Sequence, residues 1–396
     1  MNRKLQISAR TVVSALGRGV SAHVDALVEG RSGLTACDFP GVDLETWIGR
    51  VEGLEDSPIE GALADYDCRN NRLGMAALEQ DGFMEVVGQA RSRYGAARIG
   101  VFLGTSTSGV LQTEEAYARA NPDTGELPDN YIYRTTQNIY SIASFTREVL
   151  QLEGPALVVS TACSSSAKVF ATAWRHMRAG LCDAAIVGGV DSLCRMTLYG
   201  FNALQLVSAR PCRPADRDRD GINIGEAGGY ALLEWADEDS DICLLGYGES
   251  SDAYHMSSPH PEGRGAALAM QQALQSAGLK PDEIDYINLH GTATPANDRS
   301  EDKGLMQVFG GKVPCSSTKG FTGHTLGAAG ILEAIIACIA IEEGVMPPSV
   351  NTDTLDEEIL SPVVLSPQRQ SINCVLSNSF GFGGSNASLV IGKLSA

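Results

Sequence analysis

The chain has 396 residues, 43% of them apolar, and carries a net charge of −18, with 30 Lys and Arg against 48 Asp and Glu. That length can bury two domain-sized cores, and that charge argues against a nucleic-acid binder, because counterion release needs clustered cations. Ten cysteines without a CxxC pair give no sign of a disulfide framework or of a zinc site recognisable by spacing, and they fit a reducing compartment.

The first segment, "MNRKLQISARTVVSALGRG", is basic at its start but lacks a secretory apolar region, so a cytoplasmic location is expected. "GRGVSA" at 17–22 resembles a dinucleotide fingerprint but ends in Ala, and no acidic residue closes a βαβ unit, so nucleotide binding is not expected. "GTSTSG" at 104–109 is not a GxSxG nucleophile elbow and is expected to shape a pocket wall.

In "LVVSTACSSSAKVFA", 157–171, Val158 and Val159 read as the end of a buried strand, while Ala167, Phe170, Ala171 and Trp174 recur at helical spacing. Cys163 therefore falls near a helix N-terminus. Orphan N–H groups and the helix dipole favour an anion there, which predicts a lowered thiol pKa and a nucleophile.

The polar "ADEDS" at 236–240 precedes a new apolar run, which places a boundary near 241 between an N-terminal half, 1–241, and a C-terminal half, 242–396. In the second half His290 follows the apolar "IDYINL", and His324 lies in "KGFTGHTLGAAG" before an Ala/Ile-rich helix. The longest apolar run, Ile331 to Ile341, is broken by Glu333 and is too short to cross a bilayer, so no membrane span is expected. Each half thus offers a strand, a chemically loaded turn and a long helix apolar on nearly every face, as expected for two central helices buried between sheets in a duplicated, layered α/β protein.

For any single Cys or His a packed structural role is the simpler reading. One cysteine and two histidines at strand-to-loop junctions form a set suited to covalent catalysis, with two donors aimed at a developing oxyanion. The C-terminal "SNSFGFGGSN" adds Gly381, Gly383 and Gly384, which let a loop approach a substrate closely, and Phe380 and Phe382 as bulky gates; a tight turn before the last strand is the alternative.

Several motifs in order, "STACSSSA", "CRPADRDRDGINIGEAGGYALLE", "HGTATPANDRSE", "KGFTGHTLGAAG" and "NSFGFGGSN", resemble the β-ketoacyl-[acyl carrier protein] synthases of types I and II, condensing enzymes of the thiolase superfamily, along nearly the whole chain. The resemblance implies a five-layer αβαβα fold of two similar halves. It makes Cys163 the nucleophile that takes an acyl chain as a thioester, and His290 and His324 the residues that hold the malonyl thioester carbonyl during decarboxylation. It makes Lys319 and Glu301 a supporting pair that orients the histidines and the adjoining loop, and it assigns an oxyanion hole to the backbone N–H groups of Cys163 and Phe382. Phe382 would gate the acyl pocket, and Thr292 and Thr294 would bind the phosphopantetheine arm of acyl carrier protein.

No metal or redox cofactor is implied. The implied partners are acyl carrier protein and either a second copy or a related chain-length subunit, contacted through the N-terminal half. Arg69 and Arg72 match a basic docking helix, whereas 120–133 has no Lys or Arg where many relatives are basic. The segment between Val207 and Arg213 is shorter than in relatives, which with the reduced basic patch favours a specialised polyketide or polyene pathway over housekeeping fatty acid synthesis. Two alternatives stay open: a non-elongating chain-length partner, which usually lacks the nucleophile, and a CoA-dependent thiolase, which needs a second cysteine in the C-terminal loop where Cys374 does not reach.

Overall fold

The structure, a computed structural model, describes residues 3–238 and 240–394. Ten strands run in one sheet path: β1 (Leu5–Ser14), β2 (Ile99–Gly104), β3 (Ala156–Val159), β4 (Ala184–Asp191), β5 (Ala227–Trp235), β6 (Ile242–Ser251), β7 (Tyr286–Asn288), β8 (Cys315–Ser316), β9 (Cys374–Gly381) and β10 (Ser385–Lys393). The first five lie in the order β1-β5-β4-β2-β3 and the second five in the order β6-β10-β9-β7-β8. Within each set the first two pairings are antiparallel and the last two parallel. The duplication glimpsed in the sequence is therefore a repeat of topology, strand for strand. The two sets join where β1 pairs β6, Leu5 with Leu244 and Gln6 with Cys243.

Four helices position the site: α1 (Arg69–Leu78), α2 (Ser165–Arg178), α3 (Pro295–Phe309) and α4 (Ala329–Glu343). Helix α2 follows the third strand of the first set, and α4 follows the third strand of the second. They meet at Gly330, where a Cβ would stand 2.4 Å from the Ala167 backbone nitrogen. One buried cluster contains both helices together with residues of both strand sets, among them Phe170, Ile335, Val187 and Val375.

Alternation along the strands feeds the outer layers. In β4, Ala185 and Val187 enter the central cluster, while Ala184 and Ile186 enter a second one with α1 and the helix Ser141–Leu150. A third cluster packs the helix Arg264–Ala277 and α3 on the outer face of the second set. Helix, sheet, central helices, sheet and helix make the five-layer thiolase-like α/β arrangement.

Two local expectations are corrected. Helix α4 is buried from Ala329 to Ile341, but α2 leaves Lys168, Thr172 and Arg175 short of burial and is covered on one side only. Strand β3 is not a buried strand: it ends the sheet, and its Leu157 is 42% exposed. Among the described residues no helix is long and apolar enough to cross a membrane.

Candidate active site

The turn between β3 and α2 explains the serine run after Cys163. The Thr161 N–H donates to Ser165 Oγ at 2.9 Å, Ser164 Oγ donates to the Thr161 carbonyl at 2.9 Å, and Ser166 Oγ accepts the Ile331 N–H of α4 at 3.0 Å. Two serines close the turn and the third stitches it to the other half. The turn is sharp enough to put Ala162 at φ +52°, a left-handed conformation that costs a non-glycine residue roughly 1–2 kcal/mol. Cys163 emerges from it, ahead of the first turn of α2 and almost fully buried.

His324 occupies the matching turn before α4. Its N–H donates to the Asn223 carbonyl at 2.7 Å and its carbonyl accepts the Gly225 N–H at 3.0 Å, so a segment of the first half clamps it. His324 Nε2 then lies 2.9 Å from Cys163 Sγ. The Leu326 N–H points at His324 Nδ1 at 3.3 Å; since Nδ1 accepts, Nε2 carries the proton and donates toward the sulfur. His290 comes from the end of β7, its ring centroid 5.3 Å from that of His324 and 5.9 Å from that of Phe380. Its Nδ1 is buried without a hydrogen-bond partner. The sulfur and one ring nitrogen from each histidine lie within 4.8 Å of one another.

Lys319 and Glu301 act through separate partners and do not bond each other. Lys319 Nζ is bonded to Glu333 Oε1 at 2.5 Å, both side chains nearly inaccessible. Glu301 instead accepts the backbone N–H groups of His290 at 2.9 Å and Gly291 at 2.8 Å and the Asn378 amide at 3.1 Å, and so holds the His290 loop from beneath. Glu333 was legible as the one charge interrupting an apolar helix. Asn378 carried no such signal.

The electrostatics correct a second expectation. Burial pushes the Cys163 thiol up to about 11, although the Lys319 charge and the backbone N–H groups of Phe382 and of Cys163 itself pull the other way. The local field favours the thiolate, as a helix terminus should, but the desolvation cost is larger. Burial, with the Lys319 ammonium, holds both His290 and His324 well below the usual imidazole range, so both rings are neutral at pH 7. Burial also raises Glu301 to about 7.

The C-terminal loop reaches the sulfur because position 381 is glycine: a Cβ there would stand 2.8 Å from the Thr161 carbonyl oxygen. Gly383 adopts φ +79° and donates its N–H to the Met256 carbonyl at 2.8 Å. Phe382 rests against Phe201, ring centroids 5.6 Å apart, while Phe380 is buried beside His290. A cavity of about 270 Å³ ends on Cys163, His290 and His324. Phe201, Leu206 and Ile222 supply an apolar side, and Thr292, Thr294, Asn297 and Asn386 a polar one. Thr292 and Thr294 hydroxyls lie 2.9 Å apart on that polar side.

Other motifs resolve differently. The hydroxyls of Thr105 and Thr107 donate to Asp191 at 2.6 and 2.8 Å, so "GTSTSG" wraps a buried carboxylate and does not line the cavity. In "GRGVSA" the Asp81 carboxylate accepts the Val20 N–H at 3.0 Å, filling the helix terminus where a phosphate would sit. Arg69 is buried in a bidentate pair with Glu226 and also touches Glu55, and Arg72 is held by Asp67; neither is a free docking cation, contrary to expectation.

Fold and site together define a thiolase-like condensing enzyme. The chain matches the β-ketoacyl synthase N-terminal domain over residues 3–239 and the C-terminal domain over 242–353, and it belongs to the β-ketoacyl synthase family. It is 32% identical to the 3-oxoacyl-[acyl-carrier-protein] synthase 2 of Vibrio cholerae, over 99% of both chains, and 31% identical to that of Staphylococcus aureus, over 100% of this chain and 99% of the relative. Among solved structures it resembles, at 39% identity and a TM-score of 0.89, a chain of the ketosynthase ApeO in complex with its chain length factor ApeC from Xenorhabdus doucetiae, covering 99% of this chain and 98% of that one. The ishigamide ketosynthase/chain length factor is similar at 26% identity and a TM-score of 0.89, over 99% of both chains.

Proposed function

We propose that the chain is a carrier-protein-dependent β-ketoacyl synthase that elongates acyl chains by decarboxylative condensation. The observation that carries this reading is a buried thiol within hydrogen-bond distance of one neutral imidazole and beside a second.

In the first half-reaction Cys163 sulfur bonds to the acyl carbonyl carbon and the carrier thiol leaves. The backbone N–H groups of Cys163 and Phe382, both close enough to the sulfur to lower its pKa, are assigned to the oxyanion. In the second, His290 and His324 donate to the malonyl thioester oxygen, the bond to carbon dioxide breaks, and the enolate carbon attacks the acyl-Cys carbonyl. The Cys163 thiolate leaves and takes up one proton, which restores the resting thiol. Neutral rings suit this task because a donor is needed and a neighbouring Lys319 charge disfavours an imidazolium. Thr292 and Thr294, on the polar wall, are assigned to the pantetheine arm, and no further cofactor is required by these steps.

The carrier protein would dock at the cavity mouth, where exposed Leu204, Tyr254 and Met256 flank the lining segments, rather than on Arg69 and Arg72. The half-exposed edge strand β3 suits pairing with a second subunit. The likeness to a ketosynthase solved with its chain length factor supports a related subunit in that place and a specialised pathway.

The test is intact-protein mass spectrometry after incubation with carrier proteins bearing short, long, saturated and polyunsaturated acyl chains, with and without a related subunit. A mass gain in the wild type that is absent from Cys163→Ala supports the reading. Equal acylation of the alanine variant refutes it.

A further inference from the structure

We propose that Cys163, His290 and His324 together form a binding site for a soft divalent cation of the zinc class, and that its occupancy blocks acylation of the thiol. The blocking rests on the ketosynthase reading; the binding does not.

Three donors converge. One sulfur and two imidazoles whose ligand atoms lie within 4.8 Å of one another match the thiolate and nitrogen set that zinc prefers and that hard cations such as magnesium do not. The His290 ring has no hydrogen-bond partner at its buried Nδ1 to fix a tautomer, so it can ligate without giving up a bond there. The cavity of about 270 Å³ that ends on these residues supplies an entry path and room for a water as fourth ligand. No CxxC spacing announces such a site, because the three ligands come from three separate turns.

The resting geometry is not yet that of a bound metal. Ligand atoms around a tetrahedral zinc stand roughly 3.5 Å apart, from bond lengths of about 2.0–2.3 Å, whereas Cys163 Sγ and His324 Nε2 are 2.9 Å apart, a hydrogen-bond separation. Binding must open this pair, release the thiol proton to solvent, and move the His324 proton from Nε2 to Nδ1. That last shift gives up the 3.3 Å contact from the Leu326 N–H and turns that donor toward a protonated Nδ1, so the Leu326 backbone must move aside. The hydrated ion exchanges all but one of its waters for the three side chains, and the water it keeps is the fourth ligand. Acylation of the sulfur and metal binding then exclude each other, because both use the same lone pair.

Cobalt(II) is the probe, added to the full-length protein. The expected result is one ion per chain with a thiolate-to-cobalt charge-transfer band in the near ultraviolet, displaced by zinc and reversed by a chelator. Cys163→Ala should lose the band, and His290→Asn should weaken zinc by more than the roughly 10–100-fold typical of losing an outer-shell partner. Wild-type protein alkylated at Cys163 with iodoacetamide is a second, already folded control, and it should show no band. Absence of the band from the wild type, or zinc binding of equal affinity in Cys163→Ala, overturns the proposal. An ion that binds while the metal-free protein is acylated by no acyl carrier would uphold the metal site and refute the ketosynthase reading instead.

Discussion

His324 Nε2 stands 2.9 Å from Cys163 Sγ although 161 positions separate them in the chain. The contact exists because two topologically equivalent turns, each between a third strand and a central helix, face each other across Gly330.

Because burial lifts the Cys163 thiol to about 11, little thiolate is present at neutral pH without substrate. Alkylation by iodoacetamide, followed by mass spectrometry, should accelerate about tenfold per pH unit and keep climbing past pH 9, since only the thiolate reacts. A plateau near pH 7 would show that the helix terminus, not desolvation, sets the pKa.

Lys319 and Glu333 form an ion pair in which both side chains are nearly inaccessible. Replacing Lys319 by Met strands a buried carboxylate and should cost about 3–5 kcal/mol, whereas Lys319→Met with Glu333→Leu should recover much of that loss. Urea unfolding of the two single variants and the double decides it; additive losses would mean that the pair is not coupled.

Glu301, raised to about 7 from the usual 4.5, binds its proton more tightly folded than unfolded. Its contribution to stability is therefore fully present below about pH 4.5 and lost as pH rises through about 7. Glu301→Gln should flatten that part of the profile, so the difference in melting temperature between variant and wild type should change across this window. Parallel profiles would exclude Glu301 as the titrating group.

Gly330 admits the Ala167 backbone, and a Cβ there would stand 2.4 Å from its nitrogen. Gly330→Ala should force α2 and α4 apart, at about 1–3 kcal/mol or more, and should slow acylation by lengthening the Cys163–His324 contact. Retention of full stability and activity would mean that the helices can separate without moving the site.

Much of this protein was legible in one dimension. Strand and helix period, the chemical loading of the turns at Cys163, His290 and His324, and the glycines of the last loop all announce themselves locally, because side-chain periodicity and turn chemistry are short-range properties. The tertiary structure alone decided the rest. Lys319 finds Glu333 rather than Glu301, Arg69 turns inward to Glu226, and the Cys163 thiol is raised rather than lowered. Each of these depends on burial and on partners distant in sequence, and the desolvation of a charge is set by the whole surrounding volume, which no local pattern of residues encodes.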